Sequence, residues 1–357
     1  MLSKIAPAIF ASVALLGACD AGKGGKKSPP PIDTVDPRAP TDDSSMGGNS
    51  SAGNGNPVLP TTTDQIPKVT LLQDMCRDLP LSDDAIIKNQ EQYLSFQTVV
   101  HSKGLTIDPE FALKEIDLPQ LVCMSGRLLL KANRSERNVR NVDIRNLEFI
   151  DDVYIQSASL ENVAFPNLIS VRQFRARPAV YADTLDLSQL RGVAGDFSIR
   201  SFEKVIFGPV FQVEGTVSSV DRPNDDLALN LKSAQNLDIT GEQSSRLEFA
   251  ELEIVGNIRI EKSGFLEAIS FPKLKVIAGD LMLGGDYPYY EWNPLSTGNQ
   301  LLSEITFGGL ERIEGNIIVG ENGEASSCLL WQALHKQLKA GVLKGKLIKN
   351  FKSDCPV

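Results

Sequence analysis

Between Leu118 and Val319 the apolar residues recur in one short phrase that turns a corner and runs on as a strand. The clearest copies are Leu118-Pro-Gln-Leu121 leading to Gly126 and Leu128-Leu-Leu130, Phe271-Pro-Lys-Leu274 leading to Gly279-Asp-Leu281-Met-Leu283, and Phe307-Gly-Gly-Leu310 leading to Gly315-Asn-Ile317-Ile-Val319. Corner positions fall at Gly126, Asp151, Gln173, Gly195, Gly215, Gln235, Gly256, Gly279 and Gly315, with spacings of 25, 22, 22, 20, 20, 21, 23 and 36 residues. A repeat of this length marks a solenoid, because one coil cannot bury its apolar edge until a neighbour stacks on it. Leu-x-Ile endings alternate apolar with polar residues, the period of a strand with one face buried.

The corner takes Gly most often, then Asp or Gln, with Asn or Asp commonly next. Gly reaches positive φ without steric penalty and Asn and Asp tolerate it, so a left-handed turn is expected there. Two strand-like segments per coil predict a mainly β fold: a right-handed β-helix or leucine-rich-like solenoid of about nine coils over residues 118–326. Helical caps are expected at residues 71–117 and 327–357. The first is read from Ser82 to Val100 with Gly104 as its stop, the second from Cys328 to Ala340 with Leu329, Leu330, Ala333 and Leu338 buried.

The phrase resembles the receptor L domain, the leucine-rich-like β-helix of growth-factor receptors and fungal cell-wall proteins. Phe271-Pro-Lys-Leu-Lys-Val-Ile-Ala-Gly-Asp-Leu281, Cys123 ahead of a Gly-x-Leu-x-Leu strand and a Cys-bounded C-terminal end carry the likeness. That family's Cys-rich modules are missing, and two coils hold Gln where Gly is usual. The resemblance therefore implies a fold and a non-catalytic binding role, not receptor function.

Residues 1–19 read as a targeting segment: Lys4, an apolar run from Ile5 to Leu16, then Leu16-Gly-Ala-Cys19. The tetrapeptide resembles the lipobox of bacterial lipoproteins, which implies cleavage before Cys19 and acylation of its sulfur. An ordinary secretory signal is the alternative. Residues 20–70 are rich in Gly, Ser, Pro, Thr and Asn and cannot offset their conformational entropy by burial, so a disordered tether is expected. The expected location is the bacterial envelope with a lipid anchor in the outer membrane; Asp20 keeps the inner membrane as the alternative.

Four further cysteines remain, Cys76, Cys123, Cys328 and Cys355, and three pairings are open to them. Two flank the entry to the repeats and two flank the exit, which favours Cys76–Cys123 and Cys328–Cys355 over a zinc site. Disulfides suit an exported chain.

The search for chemistry yields little. The two histidines, His101 and His335, both fall in the expected caps, and no phosphate-binding, dinucleotide-binding or zinc-protease motif is present. A net charge of −9 and a pI near 5.0 argue against nucleic acid as partner. Asp151-Asp152 and Asp225-Asp226 could join a Ca²⁺ site but also suit ordinary turns. No cofactor or metal is expected.

The one irregular interval, between Gly279 and Gly315, holds Tyr287, Tyr289, Tyr290 and Trp292, four of the chain's eight Tyr and Trp, with Asp286 and Glu291 around them. Insertions in repeat proteins map to loops on one face, often the binding face. These six residues are the candidate ligand-binding group, for a protein or a glycan. Packing of the rings against the last coils is the competing reading. A polysaccharide-active β-helix enzyme, with Asp, Lys or Arg converging on one sheet face, and a purely structural envelope protein are the alternatives to a binding role.

The lipobox reading yields a direct prediction. Cys19→Ser abolishes fatty-acid labelling and releases the protein from membranes, since stable attachment takes more than one acyl chain. Unchanged labelling and membrane fractionation of that variant would refute it.

Overall fold

The computed structural model describes residues 67–69, 71, 73–108, 113–131, 139–156, 160–178, 182–221, 227–228, 230–241, 244–285, 299–320, 322–351 and 355. The targeting segment 1–19 and residues 20–66 of the expected tether lie outside them. The chain is mainly β and forms a solenoid of about eight turns. Among the described residues its long sheet has seventeen strands, every pairing parallel, with register shifts in several of them. A second strand of each coil joins a five-stranded or a four-stranded sheet. The two strand-like segments per repeat are therefore both present.

The long sheet is a stack of rungs. Cys123–Lys131, Phe149–Gln156, Ser170–Ala176, the pair Gly192–Val193 and Phe197–Arg200, Phe211–Asp221, Leu231–Thr240 and Ile254–Glu261 follow one another. Alternation sends every second side chain inward. Leu128, Val153, Phe174, Phe197, Val217, Leu237, Ile258, Leu281 and Ile317 stack in one buried column. Across the interior Phe174 and Phe197 stack with centroids 5.5 Å apart, and Phe249, Phe271 and Phe307 continue as near-parallel rings at 5.3 and 5.6 Å. Such ring pairs add about 0.5–1.5 kcal/mol beyond their burial.

The corners differ from the expected left-handed turns. Among the described residues the only glycines with positive φ are Gly241, Gly284 and Gly341, none of them a predicted corner. Where the corner is Gly, the coil below is too close for a side chain. A Cβ at Gly215 would stand 2.5 Å from the carbonyl carbon of Gly195, and one at Gly195 would stand 2.9 Å from the Arg172 carbonyl oxygen. At Gly126 and Gly256 it would overlap the carbonyls of Lys103 and Gln235. The Gly215 amide donates to the Gly195 carbonyl at 3.1 Å and that of Gly279 to Gly256 at 2.7 Å.

The Asn or Asp after the corner also has a structural task. The Asp196 carboxylate accepts from the Thr216 amide at 3.1 Å, and Asn236 Nδ2 donates to the Thr216 hydroxyl at 3.3 Å. Asn257 Nδ2 donates to Asn236 Oδ1 and the Asp280 amide to Asn257 Oδ1, each at 2.9 Å. The Asn316 amide donates to Asp280 at 2.6 Å, and the Lys346 amide to Asn316 Oδ1 at 3.1 Å. Side chains of one coil thus satisfy donors of the next along the stack.

The ladder extends further at both ends than the phrase predicts. Leu81–Ser82 and Ala85–Ile87 pair with His101–Ser102 and Leu105–Ile107, which pair with Cys123–Lys131. The helix expected from Ser82 to Val100 is only α1, Gln90–Phe96, started by a capping box between Asn89 and Gln92. Ile86 and Ile87 ahead of it are β-branched, and inward Ile87 belongs to the ladder. Gly104, expected as a helix stop, lies between two of these strands. Beyond the last predicted rung, Leu347–Lys349 pairs with Ile317–Val319.

The second helix, α2, is Glu324–Gln337. Leu330 and Leu334 are fully buried apolar side chains of this helix, whereas Leu329, expected inside, is 49 % exposed. Among the described residues no helix is long and apolar enough to cross a membrane. Both expected disulfides form, Cys76–Cys123 and Cys328–Cys355. The first binds the 3₁₀ turn Gln73–Cys76 over the outer side of the sheet, where Leu71, Leu79 and Phe149 pack around it. Val69, placed in the tether by composition, already donates its amide to Glu214.

The corner geometry predicts a contrast between two glycines. Gly256→Ala forces its methyl onto the Gln235 carbonyl, whereas Gly264→Ala meets nothing within 4 Å. The first loses about 1–3 kcal/mol, in the range of an overpacked site, and the second leaves the melting temperature near the parent's. Equal melting temperatures for the two variants would contradict close stacking. Reduction is a second check: closing loops of 47 and 27 residues is worth about 4 kcal/mol each by chain entropy. Thermal unfolding before and after reduction measures it.

Candidate functional site

Asp286, Tyr287, Tyr289, Tyr290, Glu291 and Trp292 all lie outside the described residues, but the coils that carry them do not. Leu281–Leu283 and Ile317–Val319, on either side of the insertion, pair directly in register. The extra residues therefore leave the ladder without breaking it. The departing Gly284 has φ +95°, and a side chain there would collide with the amide of Asn322. The chain returns at Asn299, which is fully buried. Asn299 Oδ1 accepts from the Ser263 amide at 3.0 Å, its Nδ2 donates to the Ile260 carbonyl at 2.8 Å, and its own amide donates to Asn322 Oδ1 at 3.1 Å. Both roots of the insertion are thus fixed.

Two apolar side chains stand exposed on the coils flanking that return. Ala268 pairs with Glu304, and Phe265 and Leu301 each sit three positions earlier on their own coil. Phe265 is 64 % exposed and Leu301 47 %.

A second group of polar side chains, not singled out by the sequence, lies on the outward face of the long sheet. Register aligns Leu129, Tyr154, Arg175 and Ser198 in one column. Lys131 aligns with Gln156 in the next column, and Arg177 follows the pair Ala176 and Ile155 and so sits beside Gln156. Arg200 stands one rung further on, after Ile199. The Arg177 guanidinium donates to the Ser198 hydroxyl from Nε at 3.1 Å and from Nη2 at 2.8 Å. Arg175 pairs with Asp196 at 3.2 Å. Burial, then the like charges of Arg200 and Arg175, push the Arg177 guanidinium below its ordinary value.

Asp151 and Asp152 are engaged by arginines on the same face. Arg172 Nε donates to Asp151 at 2.8 Å and its Nη2 to Asp152 at 2.6 Å, while Arg127 lies 3.6 Å from Asp152. The Asp151 hydrogen bond holds the Arg172 guanidinium above its ordinary value, against burial. Two carboxylates tied to guanidinium groups fit an ion-pair network better than a Ca²⁺ shell. Among the described residues no group of three His, Cys, Asp or Glu is placed to hold a metal. Asp225 and Asp226 lie outside them.

The histidines stand far apart in the fold. His101, 6 % exposed, pairs in register with Cys123 on the side covered by the 3₁₀ turn, and neither ring nitrogen meets a partner. His335 is exposed on α2 with its ring 4.9 Å from that of Trp331. Aligning the Leu-x-Ile strands and reading the residues between their inward positions would have found the arginine face, since Arg177 and Arg200 are one coil apart.

Comparison with known protein families, with curated proteins and with solved structures finds no match for this chain.

Proposed function

We propose that this is a lipid-anchored binding or adhesion protein of the bacterial envelope or cell surface, a non-catalytic solenoid that presents a protein or glycan ligand site. The solenoid of this reading is right-handed, has about nine coils and resembles the receptor L domain, with residues 71–117 and 327–357 as its helical caps. Cys19 carries the anchor, in the outer or the inner membrane. The observation that carries the binding role is the insertion between two rungs that still pair, rooted at Gly284 and at buried Asn299. Aromatic-rich chain held by fixed roots loses less entropy on binding than the same residues on a free segment. Exposed Phe265 and Leu301 beside the return add apolar surface to the same end.

A second reading has an observation of its own. Arg127, Asp152, Arg172, Arg175 and Arg177 converge on one sheet face, the arrangement a polysaccharide-active β-helix enzyme would need. Engagement of Asp151 and Asp152 by Arg172 favours the binding role over that chemistry.

Replacing Tyr289, Tyr290 and Trp292 together by Ala separates binding from packing. A ligand site there loses affinity by roughly thirtyfold for each ~2 kcal/mol hot spot removed, with the melting temperature held. The measurement pairs thermal unfolding with pull-down of envelope proteins and glycans by the parent and the variant. A large fall in melting temperature, near the ~3–5 kcal/mol of a buried aromatic truncation, would show the rings to be core and sink the proposal.

A further inference from the structure

The aromatic insertion leaves the arginine face unexplained. Most charged side chains on the outward face have a carboxylate within reach: Arg172 has Asp151 and Asp152, Arg175 has Asp196, and Arg259 has Glu261. Arg177 differs. Its guanidinium makes two hydrogen bonds, both to the Ser198 hydroxyl, and among the described residues no carboxylate pairs with it. Ser198 itself is 1 % exposed, so the guanidinium is held in place by a buried group. A guanidinium has five donors in a fixed fork, and the bonds to Ser198 engage two of those on exposed Arg177. Like-charged Arg175 and Arg200 flank it.

We propose that the outward face around Tyr154, Arg175 and Arg177 binds an acidic polysaccharide, with a sugar carboxylate on Arg177 and a sugar ring on Tyr154. Tyr154 precedes Arg175 by one rung in the same column, is 36 % exposed, and its hydroxyl donates to Gln156 Oε1 at 3.4 Å. An aromatic face with a polar rim suits the apolar face of a sugar ring. Guanidinium groups take planar carboxylates bidentately, which selects a uronate over a neutral sugar.

The geometry favours a sugar chain over an acidic peptide. Peptides dock on sheets chiefly by adding a strand to an open edge. Here the rungs from Cys123 to Arg200 have both edges paired with neighbouring coils, so only side chains are on offer. Lys131, Gln156, Arg177 and Arg200 occupy successive rungs, and rungs are ~4.8 Å apart. That step is comparable with the advance per ring in an extended polysaccharide, so one chain lying along the solenoid axis meets a polar head at each unit. The site is separate from the aromatic insertion, and its fate does not depend on a ligand there.

The test titrates the purified full chain calorimetrically with polygalacturonate oligomers, a neutral dextrin and polyglutamate. Polygalacturonate binds, dextrin does not, and raising salt from ~0.1 to ~1 M weakens binding as the screening length falls from about 10 to about 3 Å. Arg177→Ala weakens it by about tenfold or more, equivalent to ~1.4 kcal/mol, and Arg177→Lys by less. Tyr154→Ala weakens polygalacturonate binding at an unchanged melting temperature, and it carries the test should Arg177→Ala fail to fold. Absence of binding, unchanged affinity of folded Arg177→Ala, or equal affinity for polyglutamate would overturn the proposal. Shortening of the bound polymer, read as a fall in viscosity, would support the site while overturning the non-catalytic reading of the protein.

Discussion

The closeness of successive coils at their corners governs this fold. Inward columns must stay aligned from rung to rung, and a side chain that propped two corners apart would disturb them. Glycine at Gly195, Gly215, Gly256, Gly279 and Gly315 lets backbone meet backbone. Asn and Asp at the following position then convert that closeness into hydrogen bonds, running from Asp196 to Lys346. Corner and core reinforce each other: the register that joins Asn236 to Asn257 also sets Leu237 against Ile258.

A stack of this kind separates stability from function. Inward columns and corner ladder hold the coils, so exposed outward residues carry less of the folding than inward ones. Tyr154, Arg175 and Arg177 occupy such positions, as do the exposed Phe265 and Leu301. The 36-residue interval illustrates the same tolerance, since Leu281 pairs with Ile317 as if the added residues were not there. Disulfides stand toward the two ends of the stack, the first on a rung that is paired on both sides.

The fold was largely legible because its signal is repeated. A solenoid writes the same inward pattern every twenty-odd residues, and both disulfides followed from where the cysteines sit relative to that pattern. The ends were less legible. Ala85-Ile86-Ile87 is too short to show a period, and only its pairing with Leu105–Ile107 makes it a strand. Leu329 and Leu334 are indistinguishable by type, and the placement of α2 against the last coils decides which one is buried.

By itself the sequence determined the repeat, its two strands per coil and the location of its largest insertion, because apolar periodicity is a local property of the chain. Only the tertiary structure decided why the corners are glycine. Positive φ and close approach both select glycine, and a sequence cannot separate a constraint within one residue from a collision with another coil. The arginine face was decided in the same way. Tyr154, Arg175, Arg177 and Ser198 are scattered through three repeats, and stacking in register is what makes them neighbours.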